Sequence, residues 1–386
     1  MADLPRIAEV VIIGGGVMGA SIAYHLAERG CTDVVLLERA EFFGSGTTGK
    51  CAGGIRHQFS TAINIELSKR SIAMLERFPE EMDQEVDLNF CGYLFLLDNE
   101  VDMATFRQNV ELQHQLGVET QLLDVDDVAR LAPQINRDGL LGGTFYHRDG
   151  LVDPMSVVQG YVKQARRRGV TLFTGVSATG IDIQSGRVTG VRTPQGTIEA
   201  PTVVIAAGPW SGVVGKLAGI DLPVQPLRRQ MAVTRPMERL PRDFPFVIDF
   251  ARSLYFHYEA GGILTGMSNP DETPGFDTSI DEAWRLVHLE QAIQRLPILA
   301  DATLHAEWAG LYEVTPDHQP ILGRLPHAEG LLACTGFSGH GFMQGPICGL
   351  LMAEEILDGR AHTVNIDPLR WDRFETEAEV AEYNVV

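Results

Sequence analysis

A glycine-rich turn between an apolar strand and a helix is the feature of this sequence that most constrains its fold. Residues 10–13 (Val-Val-Ile-Ile) form a short apolar run, which predicts a buried strand, and a Gly-x-Gly-x-x-Gly pattern follows it directly. Residues 17–29 then predict a helix that ends at Gly30, and the apolar run at 34–37 predicts a second strand. The order strand, helix, strand predicts parallel pairing with a right-handed crossover.

The glycines and one acidic residue predict the ligand of this unit. Gly14 makes the tight turn, Gly16 lets the backbone approach a pyrophosphate, and Gly19 lets the helix pack closely on the strand. The start of the helix offers free N–H groups to the same pyrophosphate. Glu38, nineteen residues after Gly19, can accept hydrogen bonds from ribose hydroxyls and would repel a 2′-phosphate. We therefore predict a dinucleotide site that excludes NADP; the alternative is a glycine-rich turn in an ordinary α/β protein.

The overall composition limits the partners of the chain. Its 386 residues, 45% of them hydrophobic, are enough for two or more domains with buried cores. A formal net charge of −20 argues against binding to nucleic acid or to an anionic membrane, because both need clustered Lys and Arg. The most apolar early run, residues 10–20, is far shorter than the ~20 residues of a membrane helix, so we expect no membrane insertion.

The five cysteines argue against a metal centre. Cys31, Cys51, Cys91, Cys334 and Cys348 are widely spaced, and no two of them form a Cys-x-x-Cys pair. An odd number of scattered cysteines suits a reducing compartment, where thiols persist. We therefore predict no bound metal and a cytoplasmic location.

Later segments predict a second set of strands. Residues 171–199 predict short strands with turns, and residues 224–268 are rich in strand patterns. Residues 281–296 predict a helix, and the last helix is predicted at 345–358, opened by Gly345-Pro346. The pattern indicates a nucleotide-binding domain that is interrupted by inserts which build a second domain.

The choice between FAD and NAD depends on the segment after Glu38. Residues 44–49 (Gly-Ser-Gly-Thr-Thr-Gly) form a polar loop that could wrap the rest of a cofactor. An NAD dehydrogenase usually continues with further plain βα units. This chain continues instead to Arg56-His57 and a long helix, which favours FAD.

Four motifs resemble the D-amino-acid oxidase superfamily of flavoenzymes. They are the glycine motif with Glu38, the loop 44–54, the segment 203–210 (Val-Val-Ile-Ala-Ala-Gly-Pro-Trp) and the segment 336–343 (Gly-Phe-Ser-Gly-His-Gly-Phe-Met). Within that superfamily the chain is similar to sarcosine oxidases, especially their β subunits, to the β subunits of dye-linked proline dehydrogenases and to dimethylglycine dehydrogenases. The motifs are specific for the flavin fold and much less specific for the substrate.

The resemblance implies an α/β fold with a Rossmann-like FAD-binding domain and an α+β insert that forms a second, antiparallel-sheet substrate domain. The FAD-binding domain would be discontinuous and would contain residues 1–85, 147–220 and 321–386. The substrate domain would contain residues 86–146 and 221–320.

The resemblance also implies non-covalent FAD and a set of contacts to it. Monomeric sarcosine oxidases tether the flavin to a Cys where this chain has Gly310, and dimethylglycine dehydrogenases use a His in the region that holds Lys50 and Cys51 here. The implied contacts are Gly14, Gly16, Val17, Met18, Gly19, Glu38 and Arg39 in the glycine turn and second strand, Ser45, Thr47, Thr48, Lys50, Gly53 and Gly54 in the loop, and Val176, Ala207, Gly208, Trp210, Gly310, Gly339, His340, Gly341, Phe342 and Met343 in later segments.

Candidate catalytic residues follow from the same resemblance. Arg56 follows the cofactor loop, as an arginine does in sarcosine oxidases, and its planar fork suits a substrate carboxylate; the alternative is a structural ion pair. Tyr312 and His340 would lie near the flavin ring. Tyr255 and His257 share one face of a predicted strand, where they could line the cavity or simply pack in the sheet.

Two departures from sarcosine oxidases leave the electron acceptor open. Their carboxylate-binding Lys after His-Gly-Phe is Met343 here, and their oxygen-activating Lys corresponds to Leu264. A positive charge near the ring stabilises the superoxide that forms first from O₂. Lys50 would supply that charge if it faces the ring, which favours O₂; if Lys50 is a solvent-exposed charge instead, we expect another acceptor.

We therefore predict an FAD-dependent oxidoreductase that oxidises the C–N bond of a small amino acid. Sarcosine or another N-alkylglycine is the first candidate, followed by glycine or proline, with hydride transfer to flavin N5 giving an imine. The alternatives are oxidation of a C–O bond in a hydroxy acid or glycerol phosphate, and a non-catalytic flavoprotein that assists assembly of a respiratory complex. The likeness to β subunits leaves room for partner subunits.

Overall fold

Two large sheets organise the chain in the computed structural model, which describes residues 4–237, 240–376 and 380–385. Within those residues the strands are β1 (Val10–Ile13), β2 (Val34–Leu37), β3 (Gly54–Ile55), β4 (Tyr93–Leu97), β5 (Gln121–Leu123), β6 (Gly142–Tyr146), β7 (Gly150–Leu151), β8 (Thr171–Phe173), β9 (Gly180–Gln184), β10 (Arg187–Thr193), β11 (Gly196–Glu199), β12 (Thr202–Ile205), β13 (Gln225–Thr234), β14 (Phe246–Asp249), β15 (Leu254–Glu259), β16 (Gly262–Met267), β17 (Leu304–Val314), β18 (Ile321–Arg324) and β19 (Leu331–Thr335). The helices are α1 (Val17–Glu28), α2 (Ala62–Glu76), α3 (Phe78–Met82), α4 (Glu100–Gln115), α5 (Val125–Leu131), α6 (Pro154–Arg167), α7 (Ser211–Lys216), α8 (Glu282–Arg295), α9 (Gly341–Leu357) and α10 (Arg373–Thr376).

The first sheet contains the predicted nucleotide-binding unit. Its six strands lie in the order β18-β19-β12-β1-β2-β8, and neighbouring strands are parallel except for β18 and β19. Every residue of β1 and β2 is buried, which explains why both are continuous apolar runs. Helices α1, α6 and α9 cover one face of the sheet, and the small sheet β11-β10-β9 together with α7 covers the other.

The second sheet contains eight strands in the order β17-β13-β16-β15-β14-β4-β6-β5. It is antiparallel except for the pair β4 and β14. Alternate residues separate its two faces: Leu94 and Leu96 pack with α5 and α8, whereas Tyr93 and Phe95 pack with α4. The predicted fold class, a Rossmann-like parallel sheet joined to an antiparallel one, is confirmed.

The two sheets draw their strands from different parts of the chain. Strands of the first sheet come from segments predicted for FAD binding, and strands of the second come from segments predicted for the substrate domain. The boundaries themselves stay a prediction, and residues 1–3, 238–239, 377–379 and 386 lie outside the described residues.

The start of the last helix differs from the sequence prediction. It is not at Gly345-Pro346: α9 begins at Gly341 and contains Pro346 as its sixth residue. A Cβ on Gly345 would lie 2.6 Å from Val17 Cγ2, and a Cβ on Gly349 would lie 2.0 Å from Ser21 Oγ. These glycines therefore let α9 pack closely on α1, and Pro346 is tolerated near the start of the helix at the loss of one backbone hydrogen bond. In the described part of the chain, no helix is long and apolar enough to span a bilayer.

Candidate functional site

A cavity of about 690 Å³ lies between the two sheets, at the carboxyl ends of β1, β2 and β12. Open α/β sheets bind their ligands at this edge, and the volume lies in the range of small-molecule sites. All predicted FAD contacts line the cavity except Gly19, which packs α1 against β1. We call the part lined by residues 13–18, 37–40, 45–48, 50–54, 176–178, 206–210, 213–214, 217 and 339–343 the cofactor half. The part lined by Arg56, Tyr93, Arg229, Met231, Phe246, Ile248, Tyr255 and Tyr312 is the substrate half.

The glycine turn is built from close backbone contacts. A Cβ on Gly14, whose φ is +117°, would lie 2.2 Å from the Ala206 carbonyl oxygen. A Cβ on Gly19 would lie 1.9 Å from the Gly14 carbonyl oxygen. Gly16, the residue before α1, has no side chain that could cap the helix. The hydroxyl of Thr48 instead accepts the N–H of Val17 at 3.2 Å. The turn thus brings the amino-terminal end of α1 to the cavity wall, where a phosphate would bind.

Glu38 lies at the end of β2 in a fixed orientation. Its Oε2 accepts the N–H of Gly15 at 2.8 Å, and its Oε1 accepts the N–H of Ala40 at 2.7 Å. Each carboxylate oxygen keeps a further lone pair for a ligand hydroxyl. This geometry fits the predicted role of Glu38 toward a ribose.

The outer end of the cofactor half is aromatic. The Arg39 guanidinium lies 3.7 Å from the ring centre of Trp210, which stacks on Phe276 with ring centres 5.6 Å apart. The N–H of Val176 donates to the carbonyl of Glu38 at 2.9 Å, which leaves the carbonyl and side chain of Val176 for the predicted FAD contact. Phe276 also lines the cavity, and the sequence analysis did not identify it.

The loop 44–54 is tied to the second sheet. The Thr47 hydroxyl donates to the Leu311 carbonyl at 2.7 Å, and the Trp308 indole N–H donates to the Lys50 carbonyl at 3.0 Å. A Cβ on Gly310 would lie 3.3 Å from Lys50 Cβ, so Lys50 lies beside the position that carries the flavin tether in monomeric sarcosine oxidases. Lys50 lines the cavity and adds a positive charge to its wall.

His340 is buried at the start of α9 and lines the cavity. Burial, together with the positive charge of Arg56, holds the pKa of His340 well below its usual value, so the ring is neutral. The ring lies edge-on to Phe59, with centres 5.4 Å apart. Within the described residues neither ring nitrogen has a hydrogen-bond partner, so either nitrogen is available to a ligand.

Glu313 is, like His340, a buried titratable group that lines the cavity, but it was not predicted from the sequence. Its carboxylate accepts a hydrogen bond from the Thr335 hydroxyl at 2.9 Å, and burial raises its pKa. A Cβ on Gly341 would lie 3.5 Å from Oε1, and a Cβ on Gly208 would lie 3.7 Å from Oε2. Glu313 on β17 therefore lies beside Gly208 and Gly341 of the cofactor half.

Arg56 lines the cavity, but its guanidinium is also bonded to the protein. Its two terminal nitrogens donate to the backbone carbonyls of Gln58 and Asn384. The guanidinium carbon lies 3.9 Å from the ring centre of Phe59. Burial lowers its pKa, and the carboxylate of Glu382 opposes that change.

Arg229 is the cationic residue of the cavity that the sequence analysis did not identify. It lies on β13, with its guanidinium carbon 5.0 Å from the ring centre of Tyr312. The preceding residue, Arg228, is bonded on the other face of the strand to Glu272 and Asp277. Two adjacent arginines in one strand must point to opposite faces, so the sequence did contain a signal for one inward-facing arginine.

Tyrosines form much of the remaining wall of the substrate half. Burial raises the pKa of Tyr93, Tyr255 and Tyr312, so their hydroxyls stay protonated and can donate hydrogen bonds. Tyr255 and His257 lie on one face of β15, as predicted, and both stack on Phe246. His257, however, does not line the cavity and is a packing residue of the sheet.

Comparison with known proteins agrees with this geometry. The family model described as "DAO: FAD dependent oxidoreductase" matches residues 9–355. Mitochondrial sarcosine dehydrogenase of Homo sapiens is 32% identical over 375 residues, which are 92% of this chain and 40% of that protein. The structure of L-proline dehydrogenase from P. horikoshii superposes with a TM-score of 0.90 at 31% identity and covers 98% of this chain and 100% of that one. Glycine oxidase from Geobacillus kaustophilus superposes with a TM-score of 0.84 at 25% identity and covers 95% of this chain and 98% of that one.

These relatives differ in length. The chain spans 40% of the sarcosine dehydrogenase, so that protein contains a large part with no counterpart here. The chain matches nearly the full length of the two solved structures. The shared region includes both sheets and the cavity between them.

Proposed function

Because this chain belongs to the DAO family of FAD-dependent oxidoreductases, we propose that it oxidises the carbon–nitrogen bond of a small amino acid. Sarcosine or another N-alkylglycine is the first candidate, and glycine and proline follow. The observation that carries the proposal is a backbone-built cofactor half that opens directly into a substrate half with guanidinium and phenol groups on its wall. The names of the three relatives, which mention sarcosine, proline and glycine, support the same substrate class.

The described residues fit FAD. Gly14 and Gly16 would bring backbone to the pyrophosphate, Glu38 would hold the ribose, and Trp210, which lies against Arg39, would contact the outer end of the cofactor. The chemistry that FAD supplies is a two-electron oxidation, in which a hydride leaves the carbon next to the amine for flavin N5 and an imine results. The chain supplies the binding, the orientation and the exclusion of water.

Side chains of the substrate half would hold the amino acid. A guanidinium would bind its carboxylate, and the hydroxyls of Tyr255 and Tyr312 can donate further hydrogen bonds. The neutral ring of His340 offers a hydrogen-bond acceptor for an uncharged amine. Phe246 and Met231 close the wall with apolar surface, which keeps water away from the reacting carbon.

We propose that the FAD is bound without a covalent link. Gly310 has no side chain that could form one, and burial raises the pKa of the Cys51 thiol to about 11, so this nearby sulfur is not a reactive thiolate. Acid precipitation should release the yellow colour into the supernatant. Colour that stays in the pellet would show a covalent link, and peptide mapping would then be directed at Cys51 and Lys50.

A substrate panel under anaerobic conditions tests the proposed activity. We expect sarcosine to bleach the flavin absorption, with slower bleaching by glycine or proline. Hydroxy acids and glycerol phosphate belong in the panel because the substrate half of the cavity holds two guanidinium groups. If only these compounds bleach the flavin, the proposed C–N oxidation is wrong and C–O oxidation takes its place. If none of the compounds bleaches the flavin, a non-catalytic flavoprotein is favoured.

Three further points belong to the same proposal. We propose O₂ as the first electron acceptor, because Lys50 lines the cavity beside Gly310. We propose that the protein works in the cytoplasm, as its scattered free cysteines suggest. Partner subunits stay a hypothesis, which size-exclusion chromatography of the protein from its own cells would test.

A further inference from the structure

We propose that Arg229, and not Arg56, is the residue that binds the substrate carboxylate; the proposal rests on the proposed function above. Both arginines reach the substrate half of the cavity. A bound carboxylate needs a guanidinium whose N–H groups are not already used by the protein. The two side chains differ clearly on that criterion.

The terminal nitrogens of Arg56 are both bonded within the protein. Its terminal nitrogens donate to two backbone carbonyls, and one of these belongs to Asn384 in the segment 380–385. The same segment brings the buried carboxylate of Glu382 close enough to raise the pKa of Arg56 against the effect of burial. Glu382 is itself held by Ser60, Thr61 and Asn64 through hydrogen bonds of 2.6 to 3.2 Å. Arg56 thus ties the segment 380–385 to the loop after β3.

Arg229 has fewer bonded N–H groups within the described residues. Its Nη1 donates to the carbonyl of Arg228 at 2.9 Å, and its Nε is buried without a partner among the described residues. Glu272, the carboxylate whose charge reaches Arg229, is bonded to Arg228 at 2.9 Å instead. A buried N–H without a partner is costly unless a ligand completes it.

Two buried arginines of the chain are each paired with a carboxylate. Arg295 lies 2.6 Å from a carboxylate oxygen of Asp249, and Arg373 lies 2.7 Å from a carboxylate oxygen of Asp317. Within the described residues, neither Arg56 nor Arg229 has a carboxylate within 4.0 Å, and of the two only Arg229 also has a buried N–H without a partner. The missing partner is therefore expected to come from the ligand.

The surroundings of Arg229 suit a carboxylate. The ring of Tyr312 lies 5.0 Å from the guanidinium carbon, and Tyr255 is the other tyrosine close to that charge. Two phenol hydroxyls and a guanidinium can together satisfy both oxygens of one carboxylate. Arg229 also supplies a cation to a cavity in which Met343 stands where monomeric sarcosine oxidases carry a carboxylate-binding lysine.

Binding of an inert ligand pair to the FAD-loaded protein tests the proposal. Pyrrole-2-carboxylate carries the charge, pyrrole-2-carboxamide is its neutral counterpart, and the change in flavin absorption on titration gives Kd for each. We expect Arg229→Lys to raise Kd for the carboxylate by about 30-fold or more and to leave the carboxamide nearly unchanged, because a point charge cannot replace the fork. Arg228→Lys is the matched control, since Arg228 is the adjacent arginine, bonded to Glu272 outside the cavity, and it should bind both ligands normally.

Arg56→Lys separates the two assignments. We expect it to lower Tm and to weaken both ligands alike, because it loosens the segment 380–385 rather than a ligand contact. A selective loss of the carboxylate in Arg56→Lys, with normal binding in Arg229→Lys, would overturn the proposal, and so would a wild-type protein that binds the two ligands equally. If no amino acid bleaches the flavin while carboxylate binding still depends on Arg229, the proposed function fails and the assignment of Arg229 stands.

Discussion

The two halves of the cavity are built by different means. The cofactor half uses backbone: Gly14 and Gly53 have φ values of +117° and +71°, and Glu38 is held by two backbone N–H groups. The substrate half uses side chains from separate strands, among them Arg229 on β13 and Tyr312 on β17. A backbone-built site leaves a fixed pattern in the sequence, because only glycine tolerates the geometry. A side-chain-built site can be assembled from many combinations of residues, and it leaves no such pattern.

The largest effect should come from a side chain placed in the backbone-built half. We expect Gly16→Val to lose most of its flavin, because its β-carbon would occupy the space of the pyrophosphate. The fold should persist, since a Cβ on Gly16 would meet only Thr48 Oγ1, at 3.2 Å. The ratio of flavin to protein absorbance measures the effect, and circular dichroism reports the fold.

Gly30→Ala is the control for this experiment. Gly30 also has a positive φ, +93°, but a Cβ there would meet nothing within 4 Å. The variant should lose about 1 kcal/mol of stability from backbone strain and keep its flavin. A Gly16→Val protein with full flavin content would show that the pyrophosphate does not approach this turn.

The contrast between the halves also explains what the sequence could predict. The glycine turn, Glu38 and the buried strands β1 and β2 were predictable because each depends on local geometry. The role of Arg229 was harder to predict. Its side chain points to the cavity because of the register of β13 against β17 and because ion pairs hold Arg228 on the opposite face of the strand. The start of α9 was mispredicted because Gly345 serves contact with α1, a tertiary relation that local propensity does not contain.

The contacts of the segment 380–385 could not be predicted from the sequence, because they too are tertiary. Val385 lines the cavity. The buried carboxylate of Glu382 accepts hydrogen bonds from the hydroxyls of Ser60 and Thr61, which precede it by more than 300 residues in the sequence. No periodic pattern marks such a contact, because it involves one short segment and a distant loop. The isolated polar residues of such a segment look like ordinary surface residues in the sequence.

A second prediction concerns Lys50, which lies where the two halves meet. If its ammonium group stabilises superoxide during reoxidation, Lys50→Met should slow the reaction of the reduced protein with O₂ on the order of tenfold or more. Flavin reduction by substrate should change little, because that step forms no superoxide. Stopped-flow mixing with oxygenated buffer measures the first rate, and anaerobic mixing with substrate measures the second.

Lys216→Met is the matched control, because Lys216 is exposed on α7 and does not line the cavity. It should leave both rates as they are. Slow reoxidation already in the unmutated protein, with fast reduction of an artificial dye, would assign the protein to the dehydrogenases and remove the role of Lys50.

The last prediction concerns the response of the second sheet to acid. His257 on β15 and His288 on α8 both pack with the second sheet, and burial lowers the pKa of each from 6.5 to about 4. Above pH 6.5 these histidines are neutral in both the folded and the unfolded chain. Below it the unfolded chain takes up protons that the folded chain cannot, so stability falls by about 1.4 kcal/mol per pH unit for each histidine until about pH 4.

We expect His257→Leu to remove one such contribution, so that the free energy of unfolding in urea falls less steeply between neutral pH and about pH 5. His147→Leu, at an exposed histidine, should keep the wild-type slope. Equal slopes in wild type and His257→Leu would show that His257 can be protonated in the folded sheet, and the predicted contribution of His257 would then be wrong.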